Sequence, residues 1–597
     1  MIKKMLSIAC FAMIFTGCKN EATTTKEPVE KIDVSAKFNE MLDNYYEEGL
    51  QLNPVQATFA GDNRFNDQFP NPLAEETVNK TKAYFKKYKE QLAQFNDTTL
   101  SESEKMTKAI LNWECDMNLE GFNFNQDYFP IDQMWSINLV AGQLASGASA
   151  QPFKTVEDYN NWLKRLDGYV DWMTTAEAKM KEGMTAGYVL PKSLIVKVLP
   201  QLEALTIEDL DQHLFYTPAK NFPEEFSDED KKQLTEAYGK MVSEKIVPAY
   251  KSLHKFMSTE YLQAGRASSG IESIPGGKEF YQYQIKLYTT TTMTADEIHK
   301  LGLSEVARIS SEMEKIKEQV GYTGDLKSFF DYVRNKKELM PFTEPKQVID
   351  NFNAIHDRMK PQIEKLFDVK PKTPFEVRRT EAFRENSASA EYNPGSLDGT
   401  RPGIFYTPIP EVTKYNTYSD ESLFLHEAIP GHHYQISLTQ ESEELPKFRK
   451  TLWYSGYGEG WALYSESLGK ELGLYTDPYQ YFGMLGAEMH RAVRLVVDTG
   501  LHSKGWTREQ AIQYSLDNEA ESEAGITSEI ERYMANPGQA LSYKIGQLKI
   551  RELRAKAEAA LGDKFDIRQF HNQVLETGCV PLALLENKIN TWILKNK

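Results

Sequence analysis

Helical periodicity dominates this sequence and most restricts the folds that the chain can adopt. Apolar residues recur at intervals of three and four over most of its length, as expected for helices that bury one face. Two helices begin with capping-box patterns, at Thr155 and Thr294. We therefore expect a mainly α protein with a minor β part. Helices are predicted over about 36–50, 72–95, 102–119, 155–182, 228–258, 294–320, 344–367 and 547–561.

One stretch departs from the helical pattern. Residues 375–409 are β-like and interrupted by glycine and proline, which predicts a small sheet immediately before a cluster of histidines. We expect the strand at 404–407 to offer an edge to an extended peptide. No change of composition marks a domain boundary, so residues 36–597 are predicted to form one large domain with sub-lobes.

Charge and cysteine content exclude two kinds of binding. The formal net charge of −17 argues against a nucleic-acid partner, because phosphates are neutralised by clustered Lys and Arg that this chain lacks. Outside the N-terminal segment only Cys115 and Cys579 remain, which excludes a zinc cluster built from four cysteines. A single disulfide between these two stays open.

The N-terminus resembles a bacterial lipoprotein signal. Two lysines precede an apolar run too short to span a bilayer, and Thr-Gly-Cys ending at Cys18 resembles a lipobox, with Phe15 in place of the usual leucine. We predict a signal peptide over 1–17, lipid on Cys18 and a flexible tether over 18–35; an ordinary secretory signal is the alternative. The protein would then lie in the cell envelope, in the periplasm or at the outer membrane, attached to the membrane only through its lipid.

The segment HEAIPGHHYQ concentrates three of the ten histidines and a glutamate within eight positions. In the usual HExxH helix, two histidines four residues apart bind one Zn²⁺, and the glutamate is the general base. Here Pro430 stands four residues after His426, and the next histidines are His432 and His433. Because proline interrupts a helix and the glycine after it tolerates unusual backbone, we expect a break that brings His432 beside His426. His433 remains the alternative second ligand, and Glu427 is the candidate general base.

A catalytic zinc ion needs a third protein ligand and an open position. Glu459, in the segment GYGEGWALYSE, is the best candidate, since the glycines around it allow close approach. Glu466 falls seven residues later on the same helix face and could hold a ligand histidine by its second ring nitrogen. A solvated helix face is the alternative for both acids, but the surrounding helix is apolar. The predicted cofactor is one Zn²⁺.

The segment EMHRAVRLVVDTGLH carries a polar stripe on an apolar helix. Residues four apart share a helix face, and the stripe consists of His490, Arg494, Asp498 and His502. A simple Arg–Asp ion pair is one interpretation. The other is contact with substrate or support of the ligands, in which Arg491 or Arg494 binds a substrate carboxylate through its planar guanidinium.

Separated motifs along the chain resemble the signature set of the bacterial domain-of-unknown-function family 885. They are HEAIPGHHYQ, GEGWALYSE, RAVRLVVDTGLHSKGW and PGQALSYKIG, and the resemblance is tightest over about 390–550. The family is placed near the zincin metallopeptidases, which implies a helical fold with a deep cleft, a small sheet beside the active-site helix, and zinc-dependent hydrolysis of peptides or related amides. It also favours Tyr543 as a donor to an oxyanion, although a buried structural tyrosine is equally consistent with the sequence.

Two other functions stay open at this point. One is a catalytically inactive envelope lipoprotein that binds peptides or acts as a scaffold. The other is a metal-dependent amidase or esterase that acts on non-peptide substrates. The presence of Glu427 argues against the first, because a structural metal site needs no general base.

Overall fold

The structure, a computed structural model, describes residues 33–147, 149–381, 385, 388–397, 399 and 401–597. The predicted signal peptide, Cys18 and most of the predicted tether lie outside these residues. The predicted end of the tether at residue 35 is wrong, because Asp33 already caps the first helix, which begins at Val34. In the described part, no helix combines the length and the apolar character needed to cross a bilayer.

Helices form nearly all of the regular structure. The first are α1 (Val34–Leu52), α2 (Pro54–Phe59), α3 (Glu75–Leu92), α4 (Glu102–Gly121), α5 (Ile137–Ala145), α6 (Val156–Ala186), α7 (Lys192–Glu203), α8 (Thr217–Lys220), α9 (Asp228–Lys240), α10 (Val247–Phe256), α11 (Leu262–Ala264) and α12 (Gly277–Thr289). The others are α13 (Ala295–Gln319), α14 (Leu326–Asn335), α15 (Pro345–Leu366), α16 (Asp420–Glu427), α17 (His432–Glu441), α18 (Lys447–Lys450), α19 (Ser455–Ser467), α20 (Pro478–Ser503), α21 (Arg508–Asn518), α22 (Glu523–Ala535), α23 (Ser542–Leu561), α24 (Ile567–Leu575) and α25 (Leu582–Asn596).

Local sequence sets the boundaries of several helices as predicted. Thr155 accepts a hydrogen bond from the backbone N–H of Asp158, whose carboxylate accepts one from the backbone of Thr155 in return. Thr294 and Glu297 form the same reciprocal pair. Such a pair satisfies two of the N–H groups that a helix start leaves without partners. The mainly α prediction is confirmed.

Two hydrophobic cores hold these helices together. The smaller lies between residues 131 and 261 and contains Trp162 and Trp172. The larger combines the first helices with nearly all segments after residue 271, and it contains Trp461. The helices that carry the histidine cluster belong to this larger core.

The predicted sheet is present between α15 and α16. Its strands are β1 (Phe375–Arg379), β2 (Glu391–Asn393) and β3 (Gly403–Thr407), in the order β1-β3-β2. Strand β3 pairs with β1 in parallel and with β2 in antiparallel orientation, so Ile404 to Tyr406 have neighbours on both sides. The expectation that β3 is a free edge is therefore wrong.

Cys115 and Cys579 are both buried and both free. Cys579 accepts a hydrogen bond from the backbone N–H of Tyr454, at 3.2 Å. The disulfide that the sequence left open is not formed, and the two thiols instead fill apolar interior positions.

Candidate metal centre

The histidine cluster lies at a break between two helices. α16 ends at Glu427, α17 begins at His432, and the Ile429–Pro430 peptide bond between them is cis. The break is anchored by Trp461 of α19, whose indole N–H donates to the carbonyl oxygen of Pro430 at 2.8 Å in a buried position. A backbone carbonyl released from a helix needs such a partner when it is buried.

Gly431 allows the chain to turn sharply at this break. A Cβ atom at this position would lie 1.9 Å from the carbonyl oxygen of His426 and 2.3 Å from that of Leu425. Both atoms belong to the backbone and cannot rotate aside. Only glycine therefore lets α17 begin so close to the end of α16.

The turn brings His432 beside His426, and α19 adds Glu459. The Nε2 atoms of His426 and His432 lie 3.6 Å and 3.5 Å from Oε2 of Glu459. The two rings are nearly perpendicular, with centroids 4.8 Å apart. Among the described residues, these three form the group whose ligand atoms all lie within 4.8 Å of one another.

The separations between these atoms test whether the group fits a metal ion. N–H···O hydrogen bonds normally measure about 2.7–3.2 Å, so 3.5 and 3.6 Å are too long for good ones. Ligand atoms roughly 2.0–2.1 Å from one ion in tetrahedral geometry are separated by about 3.3–3.5 Å. The three side chains are therefore spaced as ligands of a shared ion, and two imidazoles with one carboxylate are a donor set that Zn²⁺ accepts.

Glu466 orients the first imidazole. Its Oε1 lies 2.8 Å from Nδ1 of His426, and both side chains are buried. This contact places the Nδ1 proton toward Glu466 and leaves Nε2 facing Glu459. Burial would lower the pKa of His426, but Glu459 and Glu466 outweigh this effect and raise it to about 9. Burial would raise the pKa of Glu459, yet His432 and His426 hold it well below its usual range.

Glu427 is buried directly beside the first imidazole. Burial raises the pKa of its carboxyl, while His426, His432 and Arg491 act in the opposite direction. Within the described part of the chain, no hydrogen bond or ion pair engages this carboxylate. It is the acid at the centre that remains uncommitted to either histidine.

His433 points away from the centre toward the sheet. Its Nδ1 atom lies 2.9 Å from the hydroxyl of Tyr392, and its ring centroid lies 4.9 Å from that of Phe375. Burial lowers the pKa of His433 to about 4. Of the two candidates for the second histidine, the geometry thus groups His432 with His426 and leaves His433 as a packing residue.

Glycines let α19 approach its neighbours closely, as the sequence suggests. A Cβ atom at Gly460 would lie 2.5 Å from Cα of Gly546 in α23, and one at Gly458 would lie 2.1 Å from the ring of Trp453. The indole of Trp453 therefore lies against α19, with its centroid 5.8 Å from that of His432.

A cavity of about 520 Å³ opens beside Trp453. It is lined in part by Phe129, Trp135, Phe280, Tyr288 and Ser455. Aromatic walls with a few polar groups are typical of ligand pockets. Trp453 thus lies between this cavity and His432.

The first half of the polar stripe on α20 forms a buried ionic network. Arg494 donates to the hydroxyl of Tyr533 at 2.9 Å and to Glu529 at 2.8 Å. His490 contacts Arg494 through Nε2 and Glu519 through Nδ1. The ion pair that the sequence suggested between Arg494 and Asp498 is therefore wrong, since Arg494 pairs with Glu529.

The second half of the stripe joins α20 to other segments. Asp498 accepts hydrogen bonds from the hydroxyl of Tyr281 at 2.6 Å and from the backbone N–H of Gly538 at 3.2 Å. His502 accepts one from the backbone N–H of Ile271 at 3.0 Å. Burial raises the pKa of Asp498 to about 7 and lowers that of His502 to about 3. These contacts hold the fold together and do not reach the three candidate ligands.

Tyr543 stands beside two arginines at the start of α23. The guanidinium carbon of Arg494 lies 4.6 Å from its ring centroid, and Arg532 donates to its hydroxyl at 3.4 Å. Arg532, Trp453 and Tyr392 are residues that sequence reasoning missed. No local pattern distinguishes them, because each is identified only by its contact with a candidate residue: Tyr543, His432 and His433, respectively.

Comparison with known proteins supports a shared fold and a family. A protein described as a "putative lipoprotein" from Colwellia psychrerythraea is 29% identical, with a TM-score of 0.85 over 94% of this chain and 99% of its own. A second, described as a "putative lipoprotein of unknown function" from Shewanella oneidensis, is 20% identical, with a TM-score of 0.75 over 92% of this chain and 99% of its own. At 20% identity the likeness concerns the fold alone.

No curated protein matches the sequence significantly. The family model of DUF885, described as bacterial protein of unknown function, matches residues 54–589 and so includes every residue of the candidate centre. The chain therefore belongs to the DUF885 family of bacterial proteins of unknown function.

Proposed function

We propose that this protein is a zinc-dependent hydrolase that cleaves amide bonds of short peptides. The observation that carries the proposal is the spacing of His426, His432 and Glu459, whose facing atoms lie too far apart for good hydrogen bonds and at the separation expected of ligands to one ion. Three protein ligands leave a position open, which is typical of catalytic zinc sites and not of structural ones.

Zinc held by these three residues would supply Lewis-acid chemistry, which lowers the pKa of water and polarises a carbonyl group. Glu427 is suited to act as general base and acid. Its carboxylate is buried beside the ligands, and its raised pKa fits a group that accepts a proton from the attacking water and returns it to the leaving amine.

Tyr543 is the candidate donor to the oxygen that becomes negative in the tetrahedral intermediate. The guanidinium groups of Arg494 and Arg532 lie next to it, and Arg532 donates to the hydroxyl oxygen, which leaves the O–H free to donate to another acceptor. This role rests on the family resemblance as well as on these contacts.

We also propose that the protein is an envelope lipoprotein with lipid on Cys18. The lipobox-like sequence supports this location, and so do the two structural relatives that are described as putative lipoproteins. Labelling with a radioactive fatty acid, compared between the wild type and Cys18→Ser, tests the lipid directly.

The hydrolase proposal is tested by measuring bound metal and by screening a quenched-fluorescent peptide library. We expect one zinc per chain and peptide cleavage by the wild type. Glu427→Gln should keep the metal and lose activity by at least 100-fold, because the amide cannot accept the proton. Glu443→Gln, which changes an exposed acid outside the site, is the matched control and should leave both unchanged.

Other outcomes separate the remaining functions. One outcome is that the wild type binds metal but cleaves no peptide that Glu427→Gln leaves intact. That result would favour a peptide-binding or scaffolding protein. Cleavage of N-acyl amino acids or esters without cleavage of peptides would favour an amidase or esterase of another class. A wild type that binds no zinc would refute the proposal.

A further inference from the structure

We infer that Arg491 binds the C-terminal carboxylate of the substrate, so that the enzyme releases residues from the C-terminal ends of peptides. This inference rests on the proposed function and specifies its substrate class. It depends on the unused donors of Arg491, on its position beside the candidate centre, and on the engagement of the neighbouring cations by protein carboxylates.

The guanidinium of Arg491 has donors without partners. Its only hydrogen bond among the described residues runs from Nη1 to the carbonyl oxygen of Ala487, one turn earlier in α20, at 3.3 Å. Its Nε atom is buried and has no partner, and no carboxylate forms an ion pair with it in this part of the chain. Buried donors are normally satisfied, so an unsatisfied guanidinium is a position where a ligand can complete the hydrogen bonding.

Arg491 shares a cavity with one of the three candidate ligands. It lines a cavity of about 160 Å³ between α16 and α20. The histidines and acids in this lining are His426, Glu466, His490, Glu519 and Glu521. An anion bound to Arg491 would share this cavity with the imidazole of His426, as the terminal carboxylate would in a C-terminal cleavage.

The neighbouring cations are already used by the protein. Arg494 is paired with Glu529, and Arg532 contacts the same carboxylate. Lys544, which is fully buried, is paired with Glu305 and Glu488. Arg494 and Arg532 each keep one buried donor without a partner, but both are held by Glu529. Arg491 differs because, among the described residues, no carboxylate forms an ion pair with its planar, two-pronged donor.

A simpler role is also consistent with its position. The centre contains three carboxylates, those of Glu427, Glu459 and Glu466. In this simpler role, Arg491 balances their negative charge and binds no substrate. The two roles predict different behaviour toward peptides. A balancing charge would not distinguish a peptide acid from the corresponding peptide amide, whereas a carboxylate-binding residue would.

The experiment compares two dansylated peptides, dansyl-Ala-Ala-Ala-Ala as the free acid and as the C-terminal amide. Binding to the purified full chain is measured by fluorescence anisotropy in EDTA, where turnover is prevented. The variants are Arg491→Gln and Arg491→Lys. Arg568→Gln, which changes an exposed arginine paired with Asp566, is the matched control.

We expect the wild type and the control to bind the acid at least tenfold more tightly than the amide. Arg491→Gln should bind both peptides equally, and Arg491→Lys should keep part of the preference. Equal binding of acid and amide by the wild type, a preference that survives in Arg491→Gln, or no binding of either peptide at millimolar concentration would overturn the inference.

The result is separable from the fate of the hydrolase proposal. Mass spectrometry of zinc-loaded digests shows where peptides are cut. Cleavage that ignores the C-terminus would overturn the role of Arg491 and leave the hydrolase intact. A preference for the acid without any cleavage would support carboxylate recognition and refute the hydrolase.

Discussion

Replacing Gly431 by alanine tests the turn on which the candidate centre depends. The added Cβ would lie 1.9 Å and 2.3 Å from two backbone oxygens, so the chain must move by roughly 1.5 Å to reach an ordinary contact distance. Neither oxygen can rotate away, because both belong to α16. The displacement therefore has to fall on the start of α17, where His432 lies, or on the end of α16, where His426 lies.

The size of the effect follows from this displacement. Overpacking of this kind costs about 1–3 kcal/mol of folding stability. Metal ligands tolerate shifts of only about 0.2 Å, so a movement of roughly 1.5 Å between the two imidazoles should weaken zinc binding at least 100-fold, which corresponds to about 2.7 kcal/mol. The loss of metal affinity should thus match or exceed the loss of stability of the metal-free protein.

Zinc affinity is measured by competition with a chromophoric chelator, and stability by urea unfolding of the metal-free protein followed by circular dichroism. Gly239→Ala is the matched control, because its Cβ would meet only Leu210 at an ordinary 3.6 Å. Alanine there should stabilise α9 by about 0.5–1 kcal/mol and leave zinc affinity unchanged. A Gly431→Ala protein that folds with wild-type zinc affinity would refute the claim that this glycine positions the two histidines.

Three further results are expected. Gly460→Ala should lower the free energy of unfolding by about 1–3 kcal/mol in urea, since its Cβ would lie 2.5 Å from the backbone of Gly546; an unchanged unfolding midpoint would contradict the tight crossing of α19 and α23. Burial raises the pKa of Asp498 to about 7, so this carboxyl group holds its proton more strongly in the folded protein than in the unfolded chain. The free energy of unfolding should therefore fall as the pH rises from about 4 through 7. Between pH 5 and pH 8 the free energy of unfolding of the wild type should fall by roughly 2–4 kcal/mol more than that of Asp498→Asn. The same pH dependence in both proteins would contradict a raised pKa of Asp498. Tyr543→Phe should lower kcat by about 10–1000-fold with little change in KM, and an unaffected kcat would exclude its hydroxyl from the reaction.

Sequence reasoning succeeds for this chain where a structure is specified by neighbouring residues. The capping boxes at Thr155 and Thr294 each depend on side chains three residues apart, and both are present. The small sheet was located because glycine and proline interrupt an otherwise helical pattern. The place of β3 in the centre of that sheet was not predictable, since it depends on parallel pairing with a strand that ends 24 residues earlier, at Arg379.

The site shows the same division between local and distant information. The sequence indicated a break at Pro430 and favoured His432, because only a turn there could bring the second imidazole back. It could not separate Arg491 from Arg494, because periodicity tells which residues share a face but not which elements that face meets. In the structure, α22 supplies Glu529 to Arg494 and supplies no acid to Arg491.

The spacing of Glu459 and Glu466 explains why one imidazole can be held so firmly. Seven residues of helix rise by roughly 10 Å. This rise is slightly more than the distance between two carboxylates that contact the two ring nitrogens of one imidazole. His426 therefore lies lengthwise along α19, with Nε2 at 3.6 Å from Glu459 and Nδ1 at 2.8 Å from Glu466. A spacing of three or four residues along α19 would be too short for this arrangement, so the acid of α19 that orients His426 comes from two turns beyond the acid that faces its other ring nitrogen. The orientation of His426 is thus built into α19, and the role of the helix break is to deliver the other imidazole, that of His432, to the same carboxylate.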